Sequence, residues 1–228
     1  MSDDATASAP SEALLAELEE LNARFETAPA GAVIEWAVER FGRSIVLACS
    51  FQEIVVVDLA VGVDPGMEVV FLDTGFHFPE TLRFVEDARH RYGLNLTIAR
   101  PGEDAVDWPC GTERCCELRK VTPLRQATAG HRAWMTGLKR VDAPTRTAAP
   151  IVGFDASFGL VKLNPLATWT DDDIAAYVAD HELPEHPLLS QGYLSIGCAP
   201  TTRPVADGED PRSGRWAGSG KTECGLHA

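Results

Sequence analysis

The residues best suited to chemistry lie at the C-terminal end, where Cys224 has His227 three places after it and Lys221 three places before it. A thiolate is a nucleophile that a neighbouring cation or imidazole helps to ionise, while Glu223 works against ionisation. The approach from Cys198 carries Gly208, Gly214, Gly218 and Gly220 with Pro200, Pro204 and Pro211 among them. Such a composition forms no ordinary helix or strand, so 201–228 reads as a mobile arm that delivers a nucleophile. The alternative is a frayed terminus whose cysteine does nothing. Arg212, Arg215 and Trp216 favour the functional reading, because a solvated tail rarely carries a tryptophan.

A second constellation is made of sulfur alone. Cys115 and Cys116 are adjacent, and a disulfide between neighbours needs a strained peptide, so two thiolates facing a metal is the better reading. Cys198 stands in the distant segment Ile196-Gly197-Cys198-Ala199-Pro200-Thr201. A ligand pair on a helix meeting a cysteine from a far loop is one way to build an iron–sulfur cluster. Cys49 and Cys110 read most simply as small buried hydrophobes.

These groups must be positioned by a core, and 228 residues at 45% hydrophobic content supply one. No linker or repeat divides the chain. Residues 1–10 are expected to be disordered and 11–200 to form one α/β unit. Helical spacing of Leu14, Leu15, Leu18, Leu21 and Phe25 behind an N-cap at Ser11 predicts a first helix. A second follows Pro29. Apolar runs at 44–48, 67–72, 94–99 and 133–137 then alternate with helices at 53–63, 79–92 and 112–128, the pattern of a parallel sheet covered on both faces. A hairpin turning at Ser157-Phe158-Gly159 and a helix capped by Thr170 with Asp173 complete the chain.

Ligands of such sheets bind beyond the carboxyl ends of the strands. Ser50, Asp73-Thr74-Gly75 and Thr136-Gly137-Leu138-Lys139-Arg140 all fall there. Ser50, ahead of a helix, can offer its hydroxyl and nearby amides to a phosphate. No Walker motif occurs, and the Ser-Gly-Gly loop of an ATP-using adenylating enzyme is absent after Ala48.

The net charge of −14 argues against a nucleic-acid partner. Between Arg114 and Arg146, however, eight Lys/Arg face two acids, which marks either a site for a small polyanion or a solvated helix face. The first ten residues are polar and acidic and no apolar run reaches membrane-spanning length. That places the chain in the cytoplasm, away from membranes, with its six cysteines as thiols.

Ser50-Phe51, Leu72-Asp73-Thr74-Gly75 with Phe78-Pro79-Glu80-Thr81, Thr136-Gly137-Leu138-Lys139-Arg140 and Glu223-Cys224-Gly225-Leu226-His227 together resemble the sulfonucleotide reductases, from about Ile45 to His227. These are the assimilatory reductases of adenylyl sulfate (APS) and 3′-phosphoadenylyl sulfate (PAPS). The resemblance implies an adenine-nucleotide α-hydrolase-like sheet. It also implies reduction of APS to sulfite and AMP through an S-sulfonate on Cys224, with thioredoxin or glutaredoxin as the external reductant. By position against the family motifs, Lys120, Arg146, Arg212 and Arg215 neutralise the substrate's anionic oxygens, beside Ser50, Asp73, Thr74, Gly75, Gly137, Lys139 and Arg140. No nucleotide cofactor is implied.

Cys115-Cys116 and Cys198 are similar to the APS-reducing branch, in which Cys-Cys and a later Cys-x-x-Cys hold a [4Fe–4S] cluster. The chain departs from that pattern at Thr201, where the fourth cysteine belongs. Three readings stay open: Cys110 supplies the fourth thiolate, a three-cysteine site holds an altered cluster, or no cluster forms. A PAPS reductase that tolerates cluster loss is the alternative enzyme, and a nucleotide-binding redox sensor the alternative outside catalysis. His77 reads as a pocket or surface histidine rather than a base, and Asp73 as a residue that orients its loop. A homo-oligomer stays open.

Overall fold

A computed structural model describes residues 9–217 and 221–226. Its centre is a six-stranded sheet in the order β3-β2-β1-β4-β6-β5, with β1 Ile45–Ala48, β2 Glu68–Leu72, β3 Asn95–Ala99, β4 Ala133–Met135, β5 Val152–Asp155 and β6 Leu160–Leu163. All neighbours are parallel except the β5–β6 hairpin, which pairs Val152 with Leu163 and turns at Gly159.

Alternation along the strands divides the core. Ile45, Leu47, Val69, Phe71, Ala133 and Met135 face a large cluster made with helices α1 Glu12–Phe25, α2 Ala30–Phe41, α3 Val55–Val63, α4 Pro79–Tyr92 and α7 Asp171–Asp180. The intervening Val46, Val70 and Trp134 face the other way onto Leu124, and Leu226 of the C-terminal segment packs against this second cluster. Both faces of the central strands β1, β2 and β4 are therefore buried, as continuous apolar runs require.

Local signals act where they were expected. Ser11 caps α1 by accepting from the Leu14 amide at 3.2 Å. Pro29 precedes α2, and Pro79 opens α4. Gly93, left-handed at φ 61°, ends α4. Thr170 and Asp173 form a reciprocal capping box on α7.

The expected helix over 112–128 arrives instead in three pieces, α5 Glu113–Cys116, a π-helical turn Glu117–Val121, and α6 Thr122–Ala127. Pro123 has no amide to donate to the preceding turn. Widening that turn is one way to accommodate it, and such turns are frequent at functional sites. Lys120 sits in this turn.

Beyond Thr201 there is no helix or strand among the described residues, yet the segment is tied down. Thr202 bridges to Arg215, the Trp216 amide donates to the Thr201 carbonyl at 2.9 Å, and Trp216 is buried. Residues 1–8 fall outside the description, and so does His227, one of the expected catalytic residues.

Candidate active site

From β1 the chain runs through α3 to β2 on one side, while β4 pairs on the other side of β1. Such a switch point leaves a crevice at the carboxyl ends of the strands. A cavity of about 530 Å³ opens there, floored by Ser50, Thr74 and Gly137 and roofed by Cys198, Arg212, Arg215 and Cys224.

The floor is held rigidly. Phe51 takes a left-handed φ of 56° at the β1 exit, fully buried edge-on against Phe71; strained backbone of this kind concentrates at functional sites. At the β4 exit the Thr136 hydroxyl donates to Asn164 Oδ1 at 2.9 Å and accepts from the Leu138 amide at 3.1 Å. A side chain at Gly137 would come within 3.2 Å of Val56 Cγ1, so the exit is narrow by necessity.

The roof carries charge. Arg146 grips Glu223 through Nε at 2.8 Å and Nη2 at 2.9 Å, and reaches Asp142 at 3.2 Å. Arg212 donates to the Thr222 carbonyl at 2.9 Å and lies 3.5 Å from Glu223. Arg215 donates to the Ile196 carbonyl at 3.1 Å and stacks over Trp216, its guanidinium lying where any side chain on Gly197 would have to stand. Lys120, Arg146, Lys162 and Arg215 all lie within electrostatic reach of Cys224. Burial works to discharge Lys120, but the thiol groups of Cys224, Cys198 and Cys116 outweigh it and hold its ammonium above the ordinary lysine range. Lys120 has no carboxylate and no hydrogen-bond partner among the described residues, so its charge is left for whatever enters the cavity.

Three expected contacts are not made. Arg140 turns out of the cavity, forming a bidentate pair with Glu26 and donating to the Ala149 carbonyl at 2.9 Å. Asp73 and Gly75 lie behind the floor, where Asp73 accepts from the Gly75 amide at 3.1 Å and pairs with Arg100 at 3.2 Å. Those contacts suit a residue that orients its loop. Lys139 does line the cavity, but Asp142 at 2.9 Å, Glu53 at 3.3 Å and Asp171 at 3.7 Å already neutralise it. The basic stretch 114–146 is thus no single patch: Lys120, Lys139 and Arg146 turn inward, while Arg125 and Arg140 pair with acids elsewhere.

Glu53 and Lys162 carry no sequence signal of their own, whereas Lys221 and His77 were marked by position. Glu53 is covered by the fold, and burial raises its carboxyl against the pull of Lys139. Lys162 lies 4.6 Å over the Trp134 ring and donates to the Leu226 carbonyl at 3.3 Å. Lys221 donates to Cys116 Sγ at 3.1 Å and to the Gly111 carbonyl at 3.3 Å. His77 faces the cavity with Nε2 2.8 Å from the Leu72 carbonyl, so that nitrogen carries the proton and the ring serves as a fixed wall.

Beside Lys120 the sulfur residues gather. Cys115, Cys116 and Cys198 are buried and Cys110 is half-buried. Cys198 Sγ lies 3.5 Å from Thr74 Oγ1, and the Cys110 thiol hydrogen-bonds to Cys198. That bond is the main influence holding Cys198 below the ordinary thiol range, against burial and with help from Lys120. No three His, Cys, Asp or Glu side chains among the described residues converge tightly enough for a single ion. A multi-iron cluster instead spreads its thiolates around a cage. Four neighbouring cysteines with two ammonium groups beside them have the donor chemistry and countercharge that such an anionic cluster needs.

Residues 44–204 match the phosphoadenosine phosphosulfate reductase domain. An adenosine 5′-phosphosulfate reductase from Rhodococcus opacus is 45% identical, the match covering 93% of this chain and 95% of the relative. One from Mycobacterium tuberculosis is 48% identical over 80% of this chain and 76% of its own length. Among solved structures, the phosphoadenylyl-sulfate reductase of Candida auris, a phosphate complex, superposes with a TM-score of 0.74 at 26% identity, covering 86% of this chain and 99% of that one. The expected adenine-nucleotide α-hydrolase-like architecture is the one observed, and the chain belongs to the phosphoadenosine phosphosulfate reductase domain family.

Proposed function

We propose that this chain is an oxidoreductase that reduces APS to sulfite and AMP in sulfate assimilation, with Cys224 as nucleophile. The observation that carries the reading is Lys120, an ammonium without a carboxylate partner, set with Arg146, Arg212 and Arg215 around the cavity that Cys224 lines. The names of relatives at 44–48% identity support APS as the sulfonucleotide.

Substrate sulfur is electrophilic but wrapped in anionic oxygens, and a thiolate cannot approach until cations neutralise them. Lys120 and the arginines do this, arginine being suited to a two-point grip on sulfate and phosphate oxygens. Cys224 Sγ then bonds to the sulfonate sulfur, the S–O bond to the phosphate breaks, and AMP leaves with the electron pair. Glu223 occupies Arg146 and Arg212 in the described state, so an anionic substrate competes with it for the same donors.

The chain has no Cys-x-x-Cys. Release therefore falls to an external dithiol, thioredoxin or glutaredoxin. Its thiolate attacks Cys224 Sγ, sulfite departs with the electron pair of the S–S bond, and its second thiol resolves the mixed disulfide. We place the reaction in the cytoplasm, where thiols stay reduced; among the described residues no helix is long and apolar enough to cross a membrane. We further propose a [4Fe–4S] cluster held at the cysteine group beside Lys120, where it supplies negative charge that keeps the ammonium protonated and in place.

Thr201 favours one other reading, a PAPS reductase that dispenses with the cluster. Supplying each nucleotide separately with thioredoxin and measuring sulfite decides between them. APS is expected to turn over faster, and Cys224→Ser to bind nucleotide without releasing sulfite. Faster turnover with PAPS would select the second reading, and sulfite from Cys224→Ser would sink both.

A further inference from the structure

Thr201 occupies the position of the missing cluster cysteine, and the fold brings another cysteine to it from far away in the chain. Cys110 Sγ lies 3.8 Å from Thr201 Oγ1 across 91 residues of sequence. The approach is built into the backbone. Gly111 adopts φ +95°, and a Cβ there would stand 2.9 Å from Thr201 Cγ2, so only glycine lets the two segments close. Thr201 turns its own hydroxyl back to the Cys198 carbonyl at 3.3 Å. The side of residue 201 that would present a ligand is filled by the Cys110 thiol.

We infer that Cys110 is the fourth thiolate ligand of the cluster, joining Cys115, Cys116 and Cys198 in place of the residue at 201. This deepens the cluster reading proposed above and rests on it. Four thiolates are the normal requirement of a [4Fe–4S] centre, and a threonine hydroxyl stays protonated at neutral pH. With three cysteines one iron lacks a protein thiolate; with Cys110 the set is complete. Cys110 also lies beside Cys198 and near Cys115, so it already belongs to the sulfur group. Cys49 is the contrast. It is a cysteine in the hydrophobic core whose thiol burial pushes up to about 12. The ammonium of Lys221, 3.1 Å from Cys116 Sγ, brings positive charge to the same group.

The test is iron and acid-labile sulfide content with electron paramagnetic resonance on anaerobically purified, reconstituted full-length protein. The forms compared are wild type, Cys110→Ser, Thr201→Cys, and Cys110→Ser combined with Thr201→Cys. Wild type is expected to hold the full stoichiometry. Cys110→Ser is expected to lose iron and show a three-iron signal on mild oxidation. The combined variant is expected to regain the wild-type content, which also shows that the lesion is one of ligation and not of folding. Wild-type iron content and spectrum in Cys110→Ser would overturn the assignment while leaving the cluster itself standing. A wild type that binds no iron after reconstitution, or that contains a Cys110–Cys198 disulfide instead, would overturn the cluster reading beneath it.

Discussion

Replacing Arg146 by alanine removes the clamp that holds the C-terminal segment over the cavity. Arg146 bonds Glu223 at 2.8 and 2.9 Å, and the two side chains are only 10% and 12% exposed. A hydrogen bond to a charged group contributes about 1.5–3 kcal/mol. Two influences reduce the net loss: Arg212 remains 3.5 Å from Glu223, and an opened arm returns Glu223 to water. Asp142 is not orphaned, because Lys139 lies 2.9 Å away. A net loss of about 1–2 kcal/mol multiplies the open population by about 5–30. Lys221, tethered by its bonds to Cys116 and Gly111 when the arm is closed, is the natural reporter. Tryptic cleavage after Lys221, followed by mass spectrometry under conditions where reclosing outruns cleavage, tracks that population directly. The variant leaves the arm's own sequence unchanged, so the protease meets the same peptide. A nicking rate equal to wild type, in a variant that melts at the same temperature, would show that the Arg146–Glu223 pair does not govern closure.

Other outcomes follow from the same geometry. Lys120→Met should lower kcat/KM for the sulfonucleotide by about 10²–10³, the usual loss of one electrostatic donor at a reacting centre, measured as sulfite release. The Glu223 carboxyl, which burial tends to raise, is held below the ordinary glutamate range by Arg146 and then Arg212. A depressed carboxyl contributes stability that is complete above its unfolded pKa of about 4.3 and is lost as pH falls through its folded value. Carbon-13 NMR titration should therefore find Glu223 below that reference in wild type and closer to it in Arg146→Ala. Gly197→Ala places a methyl group inside the Arg215 guanidinium and should cost about 1–3 kcal/mol by overpacking, with weaker nucleotide binding. Thr170→Ala should cost about 1 kcal/mol through the lost α7 cap, read by thermal melting.

Much of the fold was legible because its signals are local. Ser11, Pro29, Pro79, Gly93 and the Thr170–Asp173 box act within one helical turn of themselves. Apolar strands likewise announce burial on two faces. The π turn at 117–121 was not legible, since the helical pattern around Pro123 continues on either side of it. Lys120 and Cys224 could be singled out by motif. The partners that decide which cations stay available could not, because Glu26 for Arg140, Glu53 for Lys139 and Glu223 for Arg146 are brought in by tertiary packing. Arg140 and Lys139 are neighbours in sequence, yet one points outward and the other is neutralised within the cavity. The meeting of Cys110 with Thr201 is of the same kind, visible only once two distant segments fold against each other.

The central claim is that Cys224 itself takes up the sulfonate. Mixing the protein with APS in the absence of any dithiol, then analysing intact mass and peptides, tests it directly. The account predicts one sulfonate group added per chain, located on Cys224, with AMP released in equal amount and the adduct discharged as sulfite when thioredoxin is supplied. Sulfite formed on adding thioredoxin without any adduct at Cys224, or an adduct on a different cysteine, would contradict it.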